Sequence, residues 1–167
     1  PAAATALADT LVPAGRGRHR SAGEVAVVDD SYNANPESMA AALRGLGQTG
    51  HGRRFALLGE MLELGDEAAD YHRALAPLCT GHDGVFCVGV GMLALRDALA
   101  VRVDAPPARW FPEADDALLA ALETLLAPGD TLLVKGSNRV FWTRSFATRL
   151  LERLERLGRT SEKKPGL

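Results

Sequence analysis

Five short, apolar runs recur along the chain: EVAVV (24–28), RFALL (54–58), GVFCV (84–88), ARWF (108–111) and TLLV (131–134). Runs of this length, partly β-branched and bounded by turn residues, suit buried parallel strands, because both faces of such a strand meet apolar neighbours. Between the runs the apolar positions change to helical spacing. Met39, Leu43 and Leu46 lie at steps of three and four residues, as do Met92, Leu95 and Leu99, and again Leu118, Leu122 and Leu125. Near the end, Phe146, Leu150, Leu154 and Leu157 share one helical face, with Arg149, Arg153 and Arg156 on another. Strand–helix alternation of this kind predicts βαβ units with right-handed crossovers. The expected fold is α/β, an open and mostly parallel sheet with helices on both faces.

The flanks read differently. AAATALADTL predicts a separate short helix, VPAGRGRHR a linker, and GRTSEKKPGL a polar, frayed end. No internal repeat is visible. The 167 residues suit one domain, and 47% hydrophobic with 24% charged residues fits a soluble globular class. Nineteen Lys and Arg against 21 Asp and Glu give a formal charge of −2, which offers no electrostatic footprint for nucleic acid. No run approaches the roughly 20 apolar residues of a membrane span. The first residues lack a basic n-region, so no signal peptide is read and the chain looks cut from a longer protein. A cytoplasmic location is the expectation. Cys87, inside VFCVGV, reads as a reduced core thiol.

In open α/β sheets ligands gather beyond the carboxyl ends of the strands. The segments there are DDSYNANPES, GEMLELGDE, VGVGM and KGSNR. In the first, Asn35 caps a helix that Pro36 opens, and Glu37 complements its dipole. Capping leaves Asp29, Asp30, Tyr32 and Asn33 unexplained. Asp30 could accept ribose hydroxyls, Tyr32 offers a flat face for a base, and Asn33 can donate or accept at a purine edge. In KGSNR, Lys135 is a point charge suited to phosphate or carboxylate, and Gly136 lets the backbone approach closely. Ser137 or Asn138 could cap the final helix, and the plain alternative is a capped helix with a solvent lysine. In GEMLELGDE, Glu60 and Glu63 could serve acid–base work or magnesium or merely face solvent, and Asp66 could cap the next helix. GRGRHR reads as a solvated linker or an anion clamp. His72 reads as a packed histidine, and no metal-ligand spacing occurs. GxxxxGK[ST], GxSxG and Cys–His nucleophile patterns are missing, so no catalytic residue is assigned.

Taken in order, GRG, DDSYNANPESM, LGEMLELGDE and VKGSN resemble the C-terminal domain of the Mur ligases, over about residues 10 to 155. Among them the resemblance is to the enzymes that add D-alanyl-D-alanine to UDP-N-acetylmuramoyl-tripeptide. It implies a Rossmann-like domain at residues 16–157. Residues 1–15 would be the end of a central domain and the linker, and 158–167 a polar tail. It also implies ATP-dependent amide ligation in peptidoglycan precursor synthesis. The tripeptide carboxylate is phosphorylated, the dipeptide amine attacks the acyl phosphate, and phosphate leaves. Phosphate loop and Mg2+ ligands would lie in the central domain, which together with the N-terminal domain is this chain's expected partner, leaving the chain alone inactive. Arg16 takes the place of the linker arginine that reaches ATP. Asp30 would meet the ribose, with Tyr32, Asn33 and Asn35 near the adenosine. Lys135, Gly136, Ser137 and Asn138, with Glu60, would face the incoming dipeptide. Glu60 stands where the family often has Asp, and NRVFWTRSF follows KGS where the family has a Met a few residues on. The alternatives are a related Mur or folylpolyglutamate-type ligase and a non-catalytic nucleotide-binding module.

Overall fold

The computed structural model describes residues 13–49, 52–143 and 145–162. Its strands are β1 (Arg18–Ala22), β2 (Val25–Asp30), β3 (Arg54–Gly59), β4 (Gly84–Val88), β5 (Ala108–Phe111) and β6 (Thr131–Lys135). All five apolar runs form strands. The first is displaced: Glu24 belongs to the preceding turn, and the strand instead runs on through Asp29 and Asp30. The helices are α1 (Pro36–Leu46), α2 (Ala68–Arg73), α3 (Leu93–Ala100), α4 (Asp116–Leu125), α5 (Asn138–Phe141) and α6 (Phe146–Glu162). The helix expected in AAATALADTL lies outside the described residues.

The six strands form one sheet in the order β1-β2-β6-β3-β4-β5, parallel except for the β1–β2 pair. One apolar layer joins Val27, Leu57, Leu132 and Val134 to Leu118 and Leu122 of α4 and Leu150 and Leu154 of α6. The other joins Leu58, Cys87 and Leu133 to Met39 and Leu43 of α1 and Leu95 and Leu99 of α3. Helices therefore cover both faces, as the alternation predicts. Cys79 and Cys87 are free, buried thiols, and burial pushes each up to about 12.

Three flanking expectations change. The linker read in GRGRHR ends at Gly17, and from Arg18 the chain forms an antiparallel edge strand, β1, whose polar residues hid it from an apolar search. Gly23 and Glu24, both at positive φ, make the two-residue turn that returns the chain into β2. A Cβ on Gly23 would lie 2.2 Å from the Leu154 carbonyl oxygen, so glycine also admits α6. Asp66 caps nothing: it sits in a 3-10 turn, Gly65–Glu67, and α2 starts without a side-chain cap. The closing helix continues to Glu162, into the segment expected to fray.

Insertion of β6 between β2 and β3 is what positions the site. It sets Lys135 beside Asp30 on one side and beside Leu58 on the other. The DDSYN, KGSN and GEML segments, far apart in sequence, thus leave the sheet along one edge.

Candidate functional site

Two neighbouring depressions occupy this edge. The first, about 260 Å³, is lined by Arg16, Asp30, Tyr32, Asn33, Asn35 and Lys135, together with Gly15 and Ser38. All five residues expected near the nucleotide are thus brought together. Asn35 caps α1 as expected: its side chain accepts from Ser38 N at 2.8 Å, and Ser38 Oγ accepts from Asn35 N at 3.2 Å. Asn33 Oδ1 accepts from Ala34 N at 2.9 Å, which folds the turn back on itself. Tyr32 N donates to Gly15 O at 2.8 Å, and the Arg16 guanidinium lies 4.3 Å from the Tyr32 ring centroid. Cation and ring form one wall of the depression.

Trp142 backs the Tyr32 ring, and the sequence reading missed it. Its ring meets Tyr32 edge-on with centroids 5.3 Å apart. Its Nε1 donates to Ser31 Oγ at 3.1 Å, and Ser31 Oγ donates to Asp29 Oδ1 at 2.6 Å. Asp29 and Ser31, both buried, therefore support the turn and do not line the depression. A signal was available: an aromatic residue one helical turn after KGSN.

The residues assigned to the dipeptide divide. Lys135 turns away into the first depression. Its side chain is 2% exposed, and Nζ contacts Asp30 Oδ2 at 2.8 Å and donates to Asn33 O at 2.9 Å. Gly136 is buried where a Cβ would come 2.6 Å from the Phe141 ring and 2.7 Å from Gly59 Cα. Ser137 holds the neighbouring loop: its N donates to Glu60 O at 3.3 Å and its Oγ accepts from Leu62 N at 3.2 Å. Ser137 precedes α5 without a side-chain cap, and the final helix begins later, at Phe146, so neither it nor Asn138 caps that helix. Asn138 is exposed at the start of α5.

Glu60 does line the second depression, about 230 Å³, with Glu113, Arg139, Ala114, Val140 and Thr143 among its neighbours. Its Oε2 accepts from Gly91 N at 2.8 Å. Below it His72 is buried. Its Nε2 accepts from Met61 N at 2.9 Å, which places the ring proton on Nδ1, 2.6 Å from Ala68 O. Burial holds His72 below the usual imidazole range. Arg139 was missed, although it directly follows KGSN. Among the described residues no three His, Cys, Asp or Glu side chains gather to hold a metal, and no helix is long and apolar enough to cross a membrane.

Residues 15–138 match the family described as Mur ligase, glutamate ligase domain. The UDP-N-acetylmuramoyl-tripeptide–D-alanyl-D-alanine ligase of Synechocystis sp. is 38% identical over 132 residues, 77% of this chain and 28% of the relative. The ligase of the same name from Mycobacterium tuberculosis (strain CDC 1551 / Oshkosh) is 37% identical over 134 residues, covering 68% and 26%. The solved structure of MurF ligase from Thermotoga maritima in complex with ADP superposes with a TM-score of 0.72 at 25% identity, covering 87% of this chain and 32% of that one. The chain thus spans little more than a quarter of the length of the curated relatives it matches.

Proposed function

The chain belongs to the Mur ligase family, and from that premise we propose that it is the C-terminal domain of an ATP-dependent amide ligase. The ligase joins D-alanyl-D-alanine to UDP-N-acetylmuramoyl-tripeptide during peptidoglycan precursor synthesis, in the cytoplasm. The observation that carries this reading is the first depression, where a carboxylate, an aromatic face and an amide of one turn meet the Arg16 guanidinium. The T. maritima relative was solved in complex with ADP, which supports use of an adenine nucleotide. In this reading Asp30 accepts the ribose hydroxyls, Tyr32 and Asn33 meet the base, and Arg16 reaches the phosphates. Asn35 fixes the turn that carries them.

The second depression takes the incoming dipeptide. At about 230 Å³ it is smaller than the roughly 300–1,000 Å³ typical of drug-sized ligands, and it suits a small one. A zwitterion needs one cation and one anion: Arg139 serves the carboxylate, and Glu60, with Oε2 committed to Gly91, offers Oε1 to the ammonium. Gly136 and Ser137 hold the two loops together, so their part in dipeptide binding is indirect. Bringing the amine close to an activated carboxylate and excluding water are the contributions such a domain makes. Among the described residues no three His, Cys, Asp or Glu side chains gather to hold magnesium. The phosphate loop and the metal are assigned to the central domain, so the isolated chain is expected to be inactive.

The test is phosphate release by the full-length protein given ATP, UDP-N-acetylmuramoyl-tripeptide and either D-alanyl-D-alanine or single amino acids. Release that requires the dipeptide is the expected result. Release with another amino acid keeps the ligase and overturns its acceptor. No release with any acceptor moves the weight to a non-catalytic nucleotide-binding module.

A further inference from the structure

We propose that Lys135 is a positioning residue of the nucleotide turn, acting through Asp30, and not a contact for the incoming dipeptide. The inference rests on the nucleotide reading of the first depression. A lysine at the carboxyl end of a strand would ordinarily extend into solvent. Here the pleat sends it inward. Leu133 and Lys135 are two residues apart on β6, and Leu133 packs in the layer under α1. Asp30 follows Val28 on the same face of β2, and Val28 packs against that same layer. The register pairs Asp30 with Lys135 directly. The ammonium therefore emerges beneath the start of α1, where the DDSYN turn passes over it.

A lysine this deeply buried is tolerated only with compensating partners. Lys135 has an anion and a carbonyl, Asp30 Oδ2 at 2.8 Å and Asn33 O at 2.9 Å. Both belong to the turn, and the bond to Asn33 spans 102 residues of sequence. The ion pair holds Oδ2 and so sets the plane in which the Asp30 carboxylate presents Oδ1. The bond to Asn33 O fixes the backbone from which the Tyr32 and Asn33 side chains project. Lys135 does not line the second depression, and its amine cannot turn toward it without giving up both partners. The residue that appears in sequence as the start of the dipeptide segment is, in the fold, the strut of the nucleotide segment.

The experiment is a double-mutant cycle on the full-length protein, read by calorimetric ADP binding for wild type, Lys135→Met, Asp30→Asn and the double variant. Each single variant is expected to weaken ADP binding about tenfold, the scale of one charge-assisted hydrogen bond. The double variant is expected to be no weaker than Asp30→Asn, because the two residues act as one unit. In the same protein the KM for D-alanyl-D-alanine stays within about twofold for Lys135→Met. Unchanged ADP binding in Lys135→Met, or penalties that multiply in the double variant, overturns the proposal, as does a dipeptide KM that rises while ADP binding holds. A lower melting midpoint with normal ADP binding assigns Lys135 a merely structural role and also overturns it. Should Lys135→Met not fold, Lys135→Gln, a neutral side chain that keeps two N–H donors, enters the same cycle. Dipeptide-dependent phosphate release is scored separately. Its absence removes the ligase reading while the ADP cycle still decides Lys135.

Discussion

The two depressions lie on the same sheet edge, yet they are held together by opposite means. Around β2 and β6 a buried cation closes the turn from below, through an ion pair and one carbonyl. Around β3 and β4 no buried ion pair is used among the described residues. There, backbone N–H groups of Met61, Leu62 and Gly91 are each taken by a side chain, namely His72, Ser137 and Glu60. The first arrangement is rigid but depends on two charges staying paired. The second spreads the same task over several weaker bonds, and loses less when one of them fails.

Breaking the first region should have the larger effect. Asp30→Ala leaves the Lys135 ammonium buried beside a lone carbonyl, and removing one partner of a buried pair costs about 3–5 kcal/mol. Because Asp30 itself is partly exposed, the low end is expected, about 3 kcal/mol by urea denaturation. A midpoint equal to wild type would show that the pair does not hold the turn. Gly136→Ala comes next and strikes the join between the regions. The added methyl has a backbone atom and a packed ring in its way, so a cost of about 1–3 kcal/mol is expected. Weakened dipeptide dependence should accompany it, and a fully stable variant with normal kinetics would contradict the close approach.

Asn35→Ala removes the accepting half of a capping box and should lower stability by about 1 kcal/mol, seen as a reduced melting midpoint. The smallest effect separates the regions by pH. Burial holds His72 below its ordinary value in the fold, so the unfolded chain takes up the proton first as pH falls. Its contribution is therefore complete above about pH 6.5 and is lost as pH drops through the lower folded value. His82 shifts the same way, mainly by burial. Thermal midpoints should decline below that pH, and His72→Gln should flatten part of the slope while leaving the share due to His82. A slope identical in His72→Gln would place the acid sensitivity elsewhere.

Much of this was legible without coordinates, for local reasons. Apolar runs mark buried strands because a two-sided burial leaves no polar position. Asn35-Pro36 marks a helix start because cap and first-turn chemistry act within three residues. The polar excess of DDSYN beyond that cap pointed to a ligand, and three of its four residues, Asp30, Tyr32 and Asn33, line one depression while Asp29 is buried under the turn. Edge strand β1 was not legible, since its RHRSA pattern is polar and its pairing depends on a neighbouring strand for recognition. Trp142 lies outside the segments singled out, and Arg139 closes KGSNR without a role read for it; the places of both follow from where α5 lands.

The amino-acid sequence by itself determined five of the six strands, the principal helices, the capped turn and the family. Only the tertiary structure decided which motif serves which depression. Lys135, Gly136 and Ser137 are consecutive, and a linear reading gives them one shared role. Strand pairing is non-local, and β6 lies between β2 and β3. The β2–β6 register sets the Lys135 amine against Asp30 on one side. Ser137, two residues on, closes against the β3 loop on the other.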